Sequence, residues 1–150
     1  MINTKDITIT ILNFIIIVVI IIILDLIAFS TFFKNSINVF SSIQKKPLNI
    51  NYMGAITSYI LVAIGLLLFS QPNISTEPAN VFEIFKESFI HGSLFGIISY
   101  GIYDSTMIAT FEDYPIKNAI IDCIWGGFIC SFSLFILNLI KYIKKKKFYY

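Results

Sequence analysis

The sequence predicts an all-α fold, an integral membrane four-helix bundle, and three observations carry that prediction. Of 150 residues, 57% are apolar and only 13% charged, against roughly 45–50% and about 25% in an ordinary soluble domain. The apolar residues gather in four long segments. Pro47, Pro72, Pro78 and Pro115 all fall between those segments, where a missing backbone N–H interrupts no helix. Four spans of roughly 20 residues use about 80 residues, so residues 1–150 read as one transmembrane domain with short loops. A soluble enzyme, a secreted disulfide scaffold and a disordered tail are excluded.

The first helix is expected over about 7–33, around the nearly unbroken aliphatic run from Ile15 to Leu24. That run is too long for a signal-peptide core and no small-residue cleavage pattern follows it, so it reads as a retained anchor. The second helix is expected over 52–70, stopping at Gln71-Pro72, because the residue before proline disfavours the helical region. The third is expected over 85–108, after a mixed stretch at 81–88, and the fourth over 116–143. A basic tail, 144–150, closes the chain.

All eleven basic residues are lysine and the formal net charge is +2. The lysines flank apolar segments, and without arginine there is no bidentate reader of bases, so no nucleic-acid partner is expected. With four spans, one side carries seven lysines (Lys5, Lys86, Lys141, Lys144, Lys145, Lys146 and Lys147) and the other four (Lys34, Lys45, Lys46 and Lys117). The excess places both termini in the cytoplasm. Asn73-Ile74-Ser75 matches a glycosylation sequon, but this orientation keeps it inside and unmodified. The expected partner is the lipid bilayer, with contact to anionic lipid through Lys144, Lys145, Lys146 and Lys147 and self-association into a homo-oligomer as a further option. The run also reads simply as a stop-transfer signal. Phe148, third from the end, spoils a dilysine retrieval pattern.

Cys123 and Cys130 lie seven residues apart in one apolar segment, roughly 10 Å along a helix and too far to bridge, so they read as packing residues. His91 is the single histidine. It leaves no metal-binding His/Cys set, reads as an interfacial residue, and with no Gly-rich phosphate loop in the chain no cofactor is expected.

The informative residues are Asp25, Asp104 and Asp122, each within or at the margin of an apolar segment. A carboxylate at the centre of a spanning helix costs roughly 2.5–3.5 kcal/mol even on lenient scales, so such residues face the bundle interior and are paired or protonated. Asp25 and Asp104 fall late in helices running one way and Asp122 falls early in a helix running back, so all three approach the same membrane face. At about 100° per residue, Gly92, Gly96, Ser99 and Tyr103 line one stripe of the third helix, with Tyr100 and Asp104 beside it. On the fourth, Asp122, Gly126 and Ser133 share a face next to Trp125. Packing these two small-residue seams together brings the carboxylates toward a common end. Three converging carboxylates would share a proton or hold a cation, with Tyr100, Tyr103, Ser105, Thr106, Thr110 and Trp125 as donors nearby. Each aspartate could instead cap a helix end or join helices.

The segment YDSTMIATFEDYP at 103–115 followed by DCIWG at 122–126 resembles the signature of the predicted membrane protein family catalogued as domain of unknown function 2177, approximately YD-x-TNLAT, then WP, then D-x-x-WG. LDLIAF at 24–29, Tyr59 and Gly65 extend the resemblance over nearly the whole chain. Met107 stands where the family has Asn, Tyr114 where it has Trp, and Ala28 where the first helix has Trp. The resemblance implies a compact four-helix membrane protein and no particular activity.

The leading functional expectation is a non-enzymatic binding or transport-associated protein, in which Asp25, Asp104, Asp122, Tyr100, Tyr103, Thr106 and Trp125 hold a proton, a cation or a polar headgroup. The alternatives are a lipid-modifying enzyme using the same carboxylates as acid and base, and a structural or assembly protein.

Overall fold

The computed structural model describes residues 4–31 and 36–148. Helix α1 (Thr4–Thr31) is followed by a short α2 (Ser36–Gln44). Helix α3 (Tyr52–Gly65) continues through a π turn (Leu66–Ser70) and a 3-10 turn (Gln71–Asn73). Helices α4 (Val81–Thr110) and α5 (Ile116–Phe148) complete the bundle, and no strand occurs among the described residues.

In α1 the run of Ile and Val would favour strands in water. Hydrocarbon leaves every backbone N–H and C=O to be satisfied within the segment, and a helix does that alone. Asn51 caps α3 by accepting from the Gly54 N–H at 3.1 Å. Helix α4 starts at Val81, earlier than the expected 85, because Asn80 accepts from the Glu83 N–H at 2.9 Å while the Glu83 carboxylate takes the Ala79 N–H. This reciprocal cap draws the mixed stretch 81–88 into the helix. At the other end α5 runs on to Phe148, so Lys145, Lys146 and Lys147 lie in its last turn, where cations suit the helix dipole. Phe32 and Phe33, the expected end of the first helix, lie outside the described residues, and the short α2 is an element that apolar periodicity did not mark.

Among the described residues three stretches are long and apolar enough to cross a membrane, at 6–31, 52–73 and 116–147. Helix α4 has 30 residues but mixes Glu83, Lys86, Glu87, His91 and Asp104 with its apolar side chains. It lies antiparallel on α5 along the small-residue seam. A Cβ on Gly96 would sit 2.1 Å from the Gly126 carbonyl oxygen, and one on Gly92 would sit 2.4 Å from Ser131 Cα. The backbones therefore approach as closely as glycine allows. On its other side α5 sets Ile129, Cys130, Leu134 and Leu137 against Ile17 and Ile21 of α1, Ala63 of α3 and Leu66 of the π turn. Outward side chains are apolar too, with Leu26, Ile124 and Phe69 all more than 60% exposed. Such a surface suits lipid rather than water.

The π turn has a visible consequence. Its extra residue rotates the next turn about the helix axis, so Ser70 donates to the His91 carbonyl at 3.2 Å and Gln71 meets Asn138 of α5. At this same end Lys145 pairs with Glu77 of the α3–α4 connection at 2.8 Å, and Lys146 lies 4.9 Å from the Tyr142 ring centroid.

Candidate functional site at the aspartate end

The three aspartates lie at the end of the bundle opposite the Lys145–Glu77 pair. Asp25 projects from the penultimate turns of α1 and is buried. Trp125 of α5 donates its indole N–H to Asp25 Oδ1 at 2.8 Å, and Tyr59 of α3 lies within electrostatic reach of this carboxylate. The Asp25 carboxylate thus joins α1 to α5 beside α3.

Asp104 is 1% exposed. The Tyr114 hydroxyl donates to its Oδ1 at 2.8 Å, and the Cys123 thiol approaches Oδ2 at 3.7 Å, a long and weak contact. Tyr114 belongs to the α4–α5 connection, whose Pro115 carbonyl accepts from Asn118 and Ala119 to start α5. The Phe40 ring of α2 packs 6.2 Å from the Tyr114 ring, so the short helix covers this corner.

Asp122 is half-buried between these two cradles. It lies within electrostatic reach of both Asp104 and Asp25, yet among the described residues no group donates a hydrogen bond to it. The arrangement follows from helix geometry. Trp125 and Cys123 are two residues apart on α5, about 200° around its axis, so the aspartates they meet lie on opposite sides of the helix. Asp122 lies between those directions, about 60° from Trp125 and 100° from Cys123. Among the described residues no set of three His, Cys, Asp or Glu side chains is placed to hold a metal ion.

The remaining candidates divide. Tyr100 packs its ring over Gly126, where a Cβ would come within 2.3 Å of it, and stays in electrostatic reach of Asp25 and Asp122. Tyr103 lies on the half-exposed rim, in reach of Asp104 and Asp122. Thr106 faces outward and spends its hydroxyl on the Ile102 carbonyl of its own helix at 2.8 Å, and Thr110 bonds Thr106 in the same way. Neither supports a carboxylate. Sequence reasoning missed Tyr59, Tyr114 and Cys123 as neighbours of these carboxylates. The first two stand at motif positions, which was the available signal. Cys123 carried none, because a cysteine in an apolar run reads as packing.

Between α4 and α5, on the side of Asp104, runs a groove of about 310 Å³. Its apolar wall runs from Ile97 to Ile108 on α4 and from Ile116 to Ile124 on α5, and its polar groups are Asp104, Ser105 and Cys123.

An all-α membrane bundle with buried carboxylates at one end is the class these features define. The family model described as predicted membrane protein (DUF2177) matches residues 8–137, and the chain belongs to that family. No curated protein and no solved structure matches the chain.

Proposed function

We propose that this protein is a small four-span membrane binding protein whose aspartate end takes up and releases a proton at Asp122. The observation that carries the reading is the contrast among the three carboxylates. Asp25 and Asp104 receive donors from other parts of the bundle, so each suits an ionised role as a fastener between elements. Asp122 has two acidic neighbours and no donor among the described residues, and negative charge on either neighbour favours a third carboxyl that carries a proton. Helix α4 supplies the fourth crossing in this reading, because its 30 residues rise about 45 Å and its polar groups face α5 or the ends. The lysine excess supports cytoplasmic termini, which puts the aspartate end on the outer face.

Infrared difference spectroscopy of the protein in lipid, recorded as pH is lowered, tests the reading. A protonated-carboxyl band should titrate in the wild type and disappear in Asp122→Asn, while Asp25→Asn leaves it in place. A band that persists in Asp122→Asn assigns the proton elsewhere and overturns the reading.

A further inference from the structure

We propose that the groove between α4 and α5 is a lateral binding site for a single-chain amphiphile with a cationic ammonium head, which Asp104 recognises. The site rests on the geometry of the groove and extends the reading of the aspartate end to a ligand. Three features select this ligand.

The first is size. A volume of about 310 Å³ lies at the lower end of the roughly 300–1,000 Å³ typical of ligand sites, which suits one chain and not a two-chain lipid. The second is the placement of polarity. Asp104, Ser105 and Cys123 lie partway along the groove, with Ile108 and Ile116 on the side of the α4–α5 connection, and Ile97 is seven residues deeper on α4, about 10 Å from Asp104 by helical rise. A head at Asp104 therefore leaves its tail along an isoleucine wall. That wall is open toward the lipid, since Ile97, Ile120 and Ile124 are 50%, 56% and 65% exposed, so the ligand enters sideways from the bilayer.

The third feature is charge. Among the described residues the lining contains one acidic side chain and no basic one, and Asp122, within electrostatic reach of Asp104, adds a second negative charge whenever its proton is released. A fatty-acid carboxylate or a phosphate head would meet like charge without a counter-ion. An ammonium meets the opposite charge and brings several donors. The Tyr114 bond to Oδ1 stays in place, while the thiol contact to Oδ2 is long enough, at 3.7 Å, for an ammonium to displace it with a charge-assisted bond. Cys123 lines the groove itself, so the displaced thiol has room to turn aside.

Native mass spectrometry of the full chain from nonionic detergent provides the test, with dodecylamine, dodecanol and dodecanoate as probes. The wild type should retain one dodecylamine, with dodecanol and dodecanoate each held about tenfold or more weakly, a difference of about 1.4 kcal/mol. Asp104→Asn should erase the preference for amine over alcohol. Ser105→Phe, on the exposed rim, should fill the groove and reduce all binding without touching the buried fold. Equal retention of the amine and the carboxylate by the wild type overturns the proposal, as does an amine preference that survives both substitutions. The Asp122 infrared band is independent of these readouts: its loss in Ser105→Phe is not expected, so failure of the groove and failure of the proton site are separable.

Discussion

The Trp125 indole N–H and Asp25 Oδ1 meet at 2.8 Å across 100 positions of sequence, tying α5 to α1 at the aspartate end. Because Trp125 is the only tryptophan, its fluorescence reports on this bond directly. Asp25→Ala should shift the emission, as the indole loses its ionic acceptor. Trp125→Phe should destabilise the bundle by about 1 kcal/mol, the scale of interhelical hydrogen bonds in membranes, measured by unfolding in mixed micelles. Unchanged emission in Asp25→Ala would show that the pair is not formed in the membrane.

Two glycines of α4 should respond oppositely to the same change. Gly96→Ala drives a methyl group into the Gly126 carbonyl, 2.1 Å away, and should cost about 1–3 kcal/mol as α4 and α5 are forced apart. At Gly101 the nearest atom to a new Cβ is Cys123 Sγ at 3.7 Å, an ordinary contact. Gly101→Ala should therefore be neutral, or stabilising by up to about 1 kcal/mol through helix propensity. Thermal denaturation of both variants in one detergent checks the pair; equal losses would mean that the seam is not the close contact described.

The α4 side of the small-residue seam was legible in the sequence, because small residues at helical spacing have few uses other than close approach, and Gly92 and Gly96 do meet the α5 backbone, at Ser131 rather than the expected Ser133 and at Gly126. The common end of the three aspartates was also legible, since depth along alternating helices is simple counting. The division of those aspartates around α5 was not. It depends on the 200° between Cys123 and Trp125 combined with where α1 and α4 pack, and a single chain of letters holds no packing partners. The π turn was equally hidden, because LLLFS at 66–70 reads as ordinary helix. Its effect surfaces only where Ser70 and Gln71 find partners 21 and 67 positions away.

That rotated segment leads to a third prediction. Gln71 and Asn138 exchange amide hydrogen bonds, Gln71 Nε2 donating to Asn138 Oδ1 at 2.9 Å and Asn138 Nδ2 to Gln71 Oε1 at 3.1 Å, while Asn138 Nδ2 also donates to the Leu134 carbonyl at 2.8 Å. Truncating one partner leaves the other amide unsatisfied beside the core, so Gln71→Leu or Asn138→Leu alone should cost about 1–3 kcal/mol. Replacing both removes the orphan and should cost less than the two single changes added together. A double-mutant cycle on unfolding in mixed micelles measures that coupling; strict additivity would show that the amides do not interact.

The Glu77–Lys145 pair predicts a specific pH response. The hydrogen bond from Lys145, and then its charge, hold the Glu77 carboxyl below its ordinary value of 4.5. A carboxylate with a depressed pKa stabilises the folded arrangement at pH values above 4.5, and that contribution is lost as pH falls through the lowered value. Glu77 is 81% exposed, so salt screens the pair and its contribution to overall stability should be small. The local consequence is still measurable. Side-chain carboxyl chemical shifts should titrate Glu77 below 4.5 in the wild type and return it to the ordinary range in Lys145→Gln or at high ionic strength. The last turn of α5 should also detach from the α3–α4 connection under those conditions, lengthening the distance between spin labels placed at Thr76 and Lys144. A Glu77 midpoint that ignores both salt and Lys145→Gln would mean that the pair does not persist in solution.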